Sequence, residues 1–120
     1  ISRMTIVTRG DDKKIEQITK QLNKLVDIIK VIDITNEKFV DREMVLVKMN
    51  AEPRVREEIL SVVQIFRAKV VDASPSTYTI EITGDEGKIT GFLDLLKPLG
   101  IKELVRSGRI AMTRGTKSIN

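Results

Sequence analysis

The chain has 120 residues, 41% hydrophobic and 32% charged, with 21 lysines and arginines against 17 aspartates and glutamates for a net charge of +4. That length fits one domain or two small ones, and no apolar run approaches the ~18 residues that a membrane helix needs. Cysteine and histidine are absent, which excludes disulfides, thiolate or imidazole zinc sites, cysteine nucleophiles and histidine acid–base chemistry within this chain. Basic and acidic residues are interspersed, and aromatic residues for base stacking are few, so composition does not point to a nucleic-acid surface.

A strand–helix–strand pattern is written three times. In the first copy, residues 3–8 read as a strand, 11–25 as a helix and 27–34 as a second strand. The helix places Ile15, Ile18, Leu22 and Leu25 on one apolar face, and Asp11 or Asp12 can cap its first amides. Lys13, Lys14, Lys20 and Lys24 fall mostly on the other side. The polar run 35–41 interrupts the pattern, and residues 36–40 read as a linker between domains.

The second copy predicts a strand over 42–49, a helix over 52–66 and a strand over 69–73. Asn50 ahead of Ala51-Glu52-Pro53 has the make-up of a helix start: a capping side chain, an acid at the positive end of the dipole, proline in the first turn. Val55, Ile59, Val62, Val63 and Phe66 would form its buried stripe. In the third copy a strand is expected over 77–83, a helix over 85–97, a strand over 101–105 and a last short run over 109–113. Along 77–83, Tyr78, Ile80 and Ile82 point one way and Thr77, Thr79, Glu81 and Thr83 the other. One face of the sheet is then core, and the other is left open for a second copy of the chain. Asp85 would cap the third helix, which buries Ile89, Phe92, Leu93 and Leu96; Pro98 is expected to end it and Gly100 to turn the chain.

Two interleaved strand–helix–strand halves make a βαββαβ, ferredoxin-like unit. The fold class is therefore α+β, with tandem ferredoxin-like units: the second, over 41–115, complete, and the first, over 1–35, present only as its second half, with 116–120 as a tail. The sequence starts at Ile1 rather than methionine, and it is read as the remainder of a longer protein. In such a half-unit, strands 3–8 and 28–34 would flank an empty central lane, to be filled by the absent segment, another chain or a shifted pairing.

No catalytic or metal-binding residue is assigned. Glu57 and Glu58 are neighbours on a helix, about 100° apart, and cannot converge as an acid–base pair. They read as outer surface paired with Arg54 or nearby lysines. Asp11 and Asp12 read as caps rather than a metal pair. Gly84-Asp85-Glu86-Gly87-Lys88 lacks the spacing of a phosphate loop, and its two acids would repel phosphate. The stretch 107–115 is a turn and closing strand, or else offers Arg109 and Arg114 to a partner's acidic surface.

Ser2-Arg3-Met4-Thr5-Ile6-Val7, the helix Ile15-Glu16-Gln17-Ile18 with Lys20-Gln21-Leu22-Asn23-Lys24-Leu25-Val26, Val31 to Ile34, and Arg42-Glu43-Met44-Val45-Leu46-Val47-Lys48 carry a resemblance. So do Ile65-Phe66-Arg67-Ala68-Lys69-Val70-Val71-Asp72, Ile80-Glu81-Ile82-Thr83-Gly84 and the ending Arg106-Ser107-Gly108-Arg109-Ile110-Ala111-Met112-Thr113-Arg114-Gly115. In these, nearly end to end, the chain resembles the small regulatory subunit of acetohydroxyacid synthase, also called acetolactate synthase. The resemblance implies an ACT domain, here its second half, followed by a second ferredoxin-like domain. It implies binding and activation of the catalytic subunit in branched-chain amino acid biosynthesis, self-association as a dimer or higher oligomer, and a cytoplasmic or organellar location. Thiamine diphosphate, magnesium and flavin would belong to the catalytic partner, so no cofactor is expected here. Family members bind valine or a related amino acid through a loop between the first strand and first helix of the ACT domain. No residue here corresponds to that loop, so no effector-binding residue is carried over. The alternative is a ligand-sensing, oligomerising domain of a transcription regulator, since such modules share the topology.

Overall fold

Alternation along one long strand sets up the larger part of the fold. In the computed structural model, which describes residues 5–7, 12–23, 33–35 and 37–116, β1 (Phe39–Asn50) buries Glu43, Val45, Val47 and Met49 and exposes Val40, Arg42, Met44, Leu46 and Asn50. That two-residue period is what an antiparallel strand with one covered face requires. The chain divides into two compact units, 41–110 and 1–40 together with 111–120.

In unit 41–110 the elements following β1 are α2 (Arg56–Ile65), β2 (Lys69–Ala73), β3 (Thr77–Gly84), α3 (Glu86–Gly100) and β4 (Ile101–Arg106). The sheet order is β2-β3-β1-β4, with every neighbour antiparallel, the ferredoxin-like arrangement expected of a complete βαββαβ unit. The core unites Val45, Val47 and Met49 of β1, Ile80 and Ile82 of β3, Ile59, Val62 and Val63 of α2, and Ile89, Phe92, Leu93 and Leu96 of α3. Phe66 and Phe92 meet edge to face, 5.4 Å between ring centres.

Local chemistry explains the helix ends. The Lys88 N–H donates to Asp85 Oδ1 at 2.9 Å, so Asp85 caps α3 as its sequence suggests. At the end of α2 the Ala68 N–H bonds the Val63 carbonyl at 2.9 Å and the Arg67 N–H bonds the Gln64 carbonyl at 3.1 Å. Arg67, at φ 54°, holds the left-handed position that glycine usually takes in such a terminus.

Three expectations change. The second helix starts at Arg56 rather than residue 52: Pro53 and Arg54 lie in a preceding turn closed by the Val55 N–H on the Glu52 carbonyl, and no side chain caps it. Arg56 reaches back to the Ala51 and Pro75 carbonyls and takes up acceptors there. The third helix passes through Pro98 and stops at Gly100, because a proline in the last turn forfeits one backbone bond while Gly100 supplies the positive φ of 100° that the exit needs. Finally, Phe39 and Val40, expected in the connection, already belong to β1, where β5 (Ile110–Thr113) gives it a ladder partner.

In the other unit, α1 (Asp12–Asn23) half-buries Ile15 and Ile18 and exposes Lys13, Lys14 and Lys20. Arg114 donates its N–H to the Lys38 carbonyl and its Nε to the Phe39 carbonyl, and the Ala111 N–H meets Thr5 Oγ1 at 3.1 Å. Thr5–Val7 and Asp33–Thr35 are not in strands. The remainder of the expected strands 3–8 and 27–34, with Asp11, Lys24 and Leu25, lies outside the described residues. Asp33 Oδ1 accepts from the Thr35 hydroxyl at 2.6 Å and from its N–H at 2.9 Å.

Two measurements follow. Phe92→Ala removes the ring at the centre of the core and should lower unfolding free energy by about 3–5 kcal/mol in urea titrations of the chain. The Thr35 hydroxyl, and secondarily its N–H, hold the Asp33 carboxyl below the ordinary carboxylate range. The stabilisation of this turn is therefore present above the ordinary carboxylate pKa and is lost as pH falls through the lowered one. In Thr35→Ala, the Asp33 titration followed by NMR should move back up.

Candidate functional site

Among the described residues no group of three or more carboxylates is placed to hold a metal ion, and the one buried charged side chain in the larger unit is Glu43, 6% exposed. Glu57 and Glu58 are exposed on α2. Arg54 pairs with Glu52 at 3.0 Å instead of with them. The segment Gly84–Lys88 leaves no phosphate cradle: the Lys88 stem packs against Gly84, where a Cβ would collide with it, and the Asp85 carboxylate fills the turn.

The ending 107–115, which periodicity leaves unexplained, is tied to its own chain. Asp41 and Glu43 extend the inward row of β1 past its apolar stretch. Arg106, at the end of β4, places its guanidinium on Glu43. Arg109 bonds Asp41 at 3.2 Å and lies 3.5 Å from Glu86 in the first turn of α3. Between the two arginines Ser107 clasps Met44: its N–H donates to the Met44 carbonyl and its hydroxyl accepts the Met44 N–H, both at 3.0 Å. Gly108 carries the positive φ of 83° that lets the chain swing from one arginine to the next. Arg109 and Arg114 both turn onto acceptors of their own chain, so the structural reading of this stretch holds. Ion pairs between residues 63 and 68 positions apart leave no local sequence signal.

The described residues leave an apolar surface exposed. The sheet face away from the helices carries Met44 and Leu46 of β1 and Val105 of β4, exposed by 45%, 38% and 55%. Leu46 lies level with Val105, and Met44 two residues further along. Ile110, at the start of β5, is 67% exposed. Such an apolar row, bordered by charge, is the kind of surface that takes a protein partner.

The comparisons agree on kinship. Residues 42–115 match the model described as the small subunit of acetolactate synthase, and residues 1–30 match a small subunit-like ACT domain. A probable acetolactate synthase small subunit of Archaeoglobus fulgidus is 53% identical over 117 residues, which is 98% of this chain and 73% of that protein. The acetolactate synthase small subunit of Aquifex aeolicus is 55% identical over 95% of this chain, which spans 60% of it. A crystal structure of the small subunit from Thermotoga maritima, 42% identical, superposes with a TM-score of 0.77 over 91% of this chain and 68% of that one.

The Arg106–Glu43 pair can be tested apart from any partner. Arg106→Ala strands a buried carboxylate and should cost about 2–3 kcal/mol in urea unfolding, below the fully buried case because the arginine is half exposed. Adding Glu43→Gln should recover part of that loss.

Proposed function

Since the chain belongs to the acetolactate synthase small-subunit family, we propose that it is a non-catalytic regulatory subunit that binds and activates the catalytic subunit of that enzyme. The observation that carries this reading is a family match over both parts of the chain. Thiamine diphosphate, magnesium and flavin are then the catalytic partner's, and the pathway is the synthesis of valine, leucine and isoleucine. Residues 1–35 correspond to part of an ACT domain and 41–115 to the domain that follows it, the connection between them ending where β1 begins at Phe39, with 116–120 as a tail. The subunit works in the cytoplasm or an organelle and associates with further copies of itself. Family membership sets aside the alternative of a transcription regulator's sensing domain.

Activation by a protein without reacting groups requires that it bind two states of the enzyme unequally, and a tenfold preference is only about 1.4 kcal/mol. Feedback by valine or a related amino acid uses the same coupling with the sign reversed.

The test is acetolactate formation by the matching purified catalytic subunit, with and without this chain, each repeated with valine. Stimulation is expected, with no added valine sensitivity from these 120 residues alone. A chain that is folded by circular dichroism yet leaves the rate unchanged would sink the proposal.

A further inference from the structure

Among the described residues one other than glycine has a positive φ, Arg67 at 54°. That conformation crowds the Cβ of an L-residue against its own backbone, a strain that glycine avoids. The end of α2 does not require an arginine there. The Phe66, Arg67 and Ala68 N–H groups bond the Val62, Gln64 and Val63 carbonyls, and a glycine backbone makes the same bonds. Nor is the side chain bonded within the fold: Arg67 is exposed, and its guanidinium makes no hydrogen bond or ion pair among the described residues. By contrast Arg42, Arg54, Arg56, Arg106, Arg109 and Arg114 each bond an acceptor of their own chain. Strain retained under a side chain with no internal partner points to a function outside the fold.

The chain on either side of Arg67 says what that function would bind. Lys69, which opens β2, is exposed and pairs with no carboxylate among the described residues, although Glu81 lies level with it in the ladder. No acid occurs between Glu58 and Asp72. Ile65, which closes α2, is 70% exposed, the highest value among the large apolar residues described. A small anion would need free amides or a concave turn to hold it, and the amides of 66–68 are already on helix carbonyls. An uncovered isoleucine beside unpaired cations suits a protein surface instead, where arginine is enriched and its planar fork takes a carboxylate by two bonds. We propose that this corner between α2 and β2 docks on the catalytic subunit, with Arg67 forked onto a carboxylate of that enzyme, Lys69 adding attraction and Ile65 seated on an apolar side chain beside it.

This site rests on the activating role proposed above and names where the enzyme is held. The experiment titrates the full chain into the matching purified catalytic subunit and reads the concentration that half-maximally stimulates acetolactate formation. Parent, Arg67→Gly, Arg67→Lys and Ile65→Gln are compared, with urea unfolding and sedimentation of each chain alone. Arg67→Gly should leave the urea midpoint little changed, because relief of the backbone offsets the greater freedom of glycine in the unfolded chain, while the half-maximal concentration rises about tenfold. Arg67→Lys keeps a charge at the carbonyl end of α2 but loses the fork, and should weaken stimulation about threefold; Ile65→Gln should weaken it about fivefold. A parent chain that does not stimulate overturns the activating role and the site with it, whereas an Arg67→Gly chain that stimulates at the parent's concentration overturns the site alone. A urea midpoint that falls together with stimulation makes Arg67 a structural residue and overturns the docking role. If Arg67→Gly alters sedimentation of the chain alone and leaves stimulation intact, the corner belongs to another copy of the chain and the enzyme is overturned as its occupant.

Discussion

The larger unit hangs on β1 having a strand bonded to each edge. Its register with β3 runs from Glu43 to Asn50 and with β4 from Val45 to Met49, so both sets of its backbone groups find partners in protein. Only a strand in that position can seal every second side chain completely, and Val45, Val47 and Met49 are fully buried. Each contributes on the order of 1.5–3 kcal/mol relative to exposure. Because both crossover connections of the βαββαβ path return on one side, α2 and α3 cover the same face of β1. The opposite face is left to solvent or to a partner for the same reason.

Hydrophobicity alone does not fix how far β4 slides along β1. A slip of two residues keeps every side chain on its own face, and the inward positions of β4 are only partly apolar, with Leu104 still 41% exposed. The charged end of the β1 row removes that freedom. Moving β4 by two residues would take Arg106 from Glu43 and leave a buried carboxylate without its partner, a penalty of about 2–3 kcal/mol against the small change in apolar contact. The Ser107 clasp on Met44 and the Arg109 contacts with Asp41 and Glu86 extend the same register past the end of the strand. A buried ion pair is weak evidence for added stability, but here its geometry supplies specificity that the apolar residues lack.

This division explains what could be read in advance. The buried positions of β3 and α3 follow from periods of two and 3.6, and Asp85 from its place before an apolar run, so Ile80, Ile82, Ile89, Phe92, Leu93 and Leu96 are buried as expected, with Tyr78 half-buried. The start of α2 departs from expectation, because Asn50-Ala51-Glu52-Pro53 has helix-start chemistry that tertiary contacts overrule: the Ala51 N–H is held by the Ser76 carbonyl and Arg56 by the Pro75 carbonyl, and residues 53–55 become a turn. Phe39 and Val40 were hidden for another reason, since their strand partner lies some seventy residues away. Pro98 misleads in the opposite direction, as a helix stop that is tolerated in a final turn. The Arg106–Glu43 and Arg109–Asp41 pairs are invisible to any local pattern, although the row Asp41, Glu43, Val45 does show two acids entering an inward-facing series.

The same geometry limits what the unit can do. Its buried side is filled by hydrocarbon and one carboxylate held by Arg106, and Arg109 is turned onto Asp41 and Glu86 of the same unit. The regulatory role proposed for the chain would act through surface contacts, which a close-packed core transmits as displacement of whole elements rather than as local softening. A partner resting on the open face would push on β1, and β1 carries both helices on its other side. An enzyme bound elsewhere on this unit would therefore register occupancy of the open face as a shift of α2 and α3, provided the two binding events favour the same arrangement of the sheet.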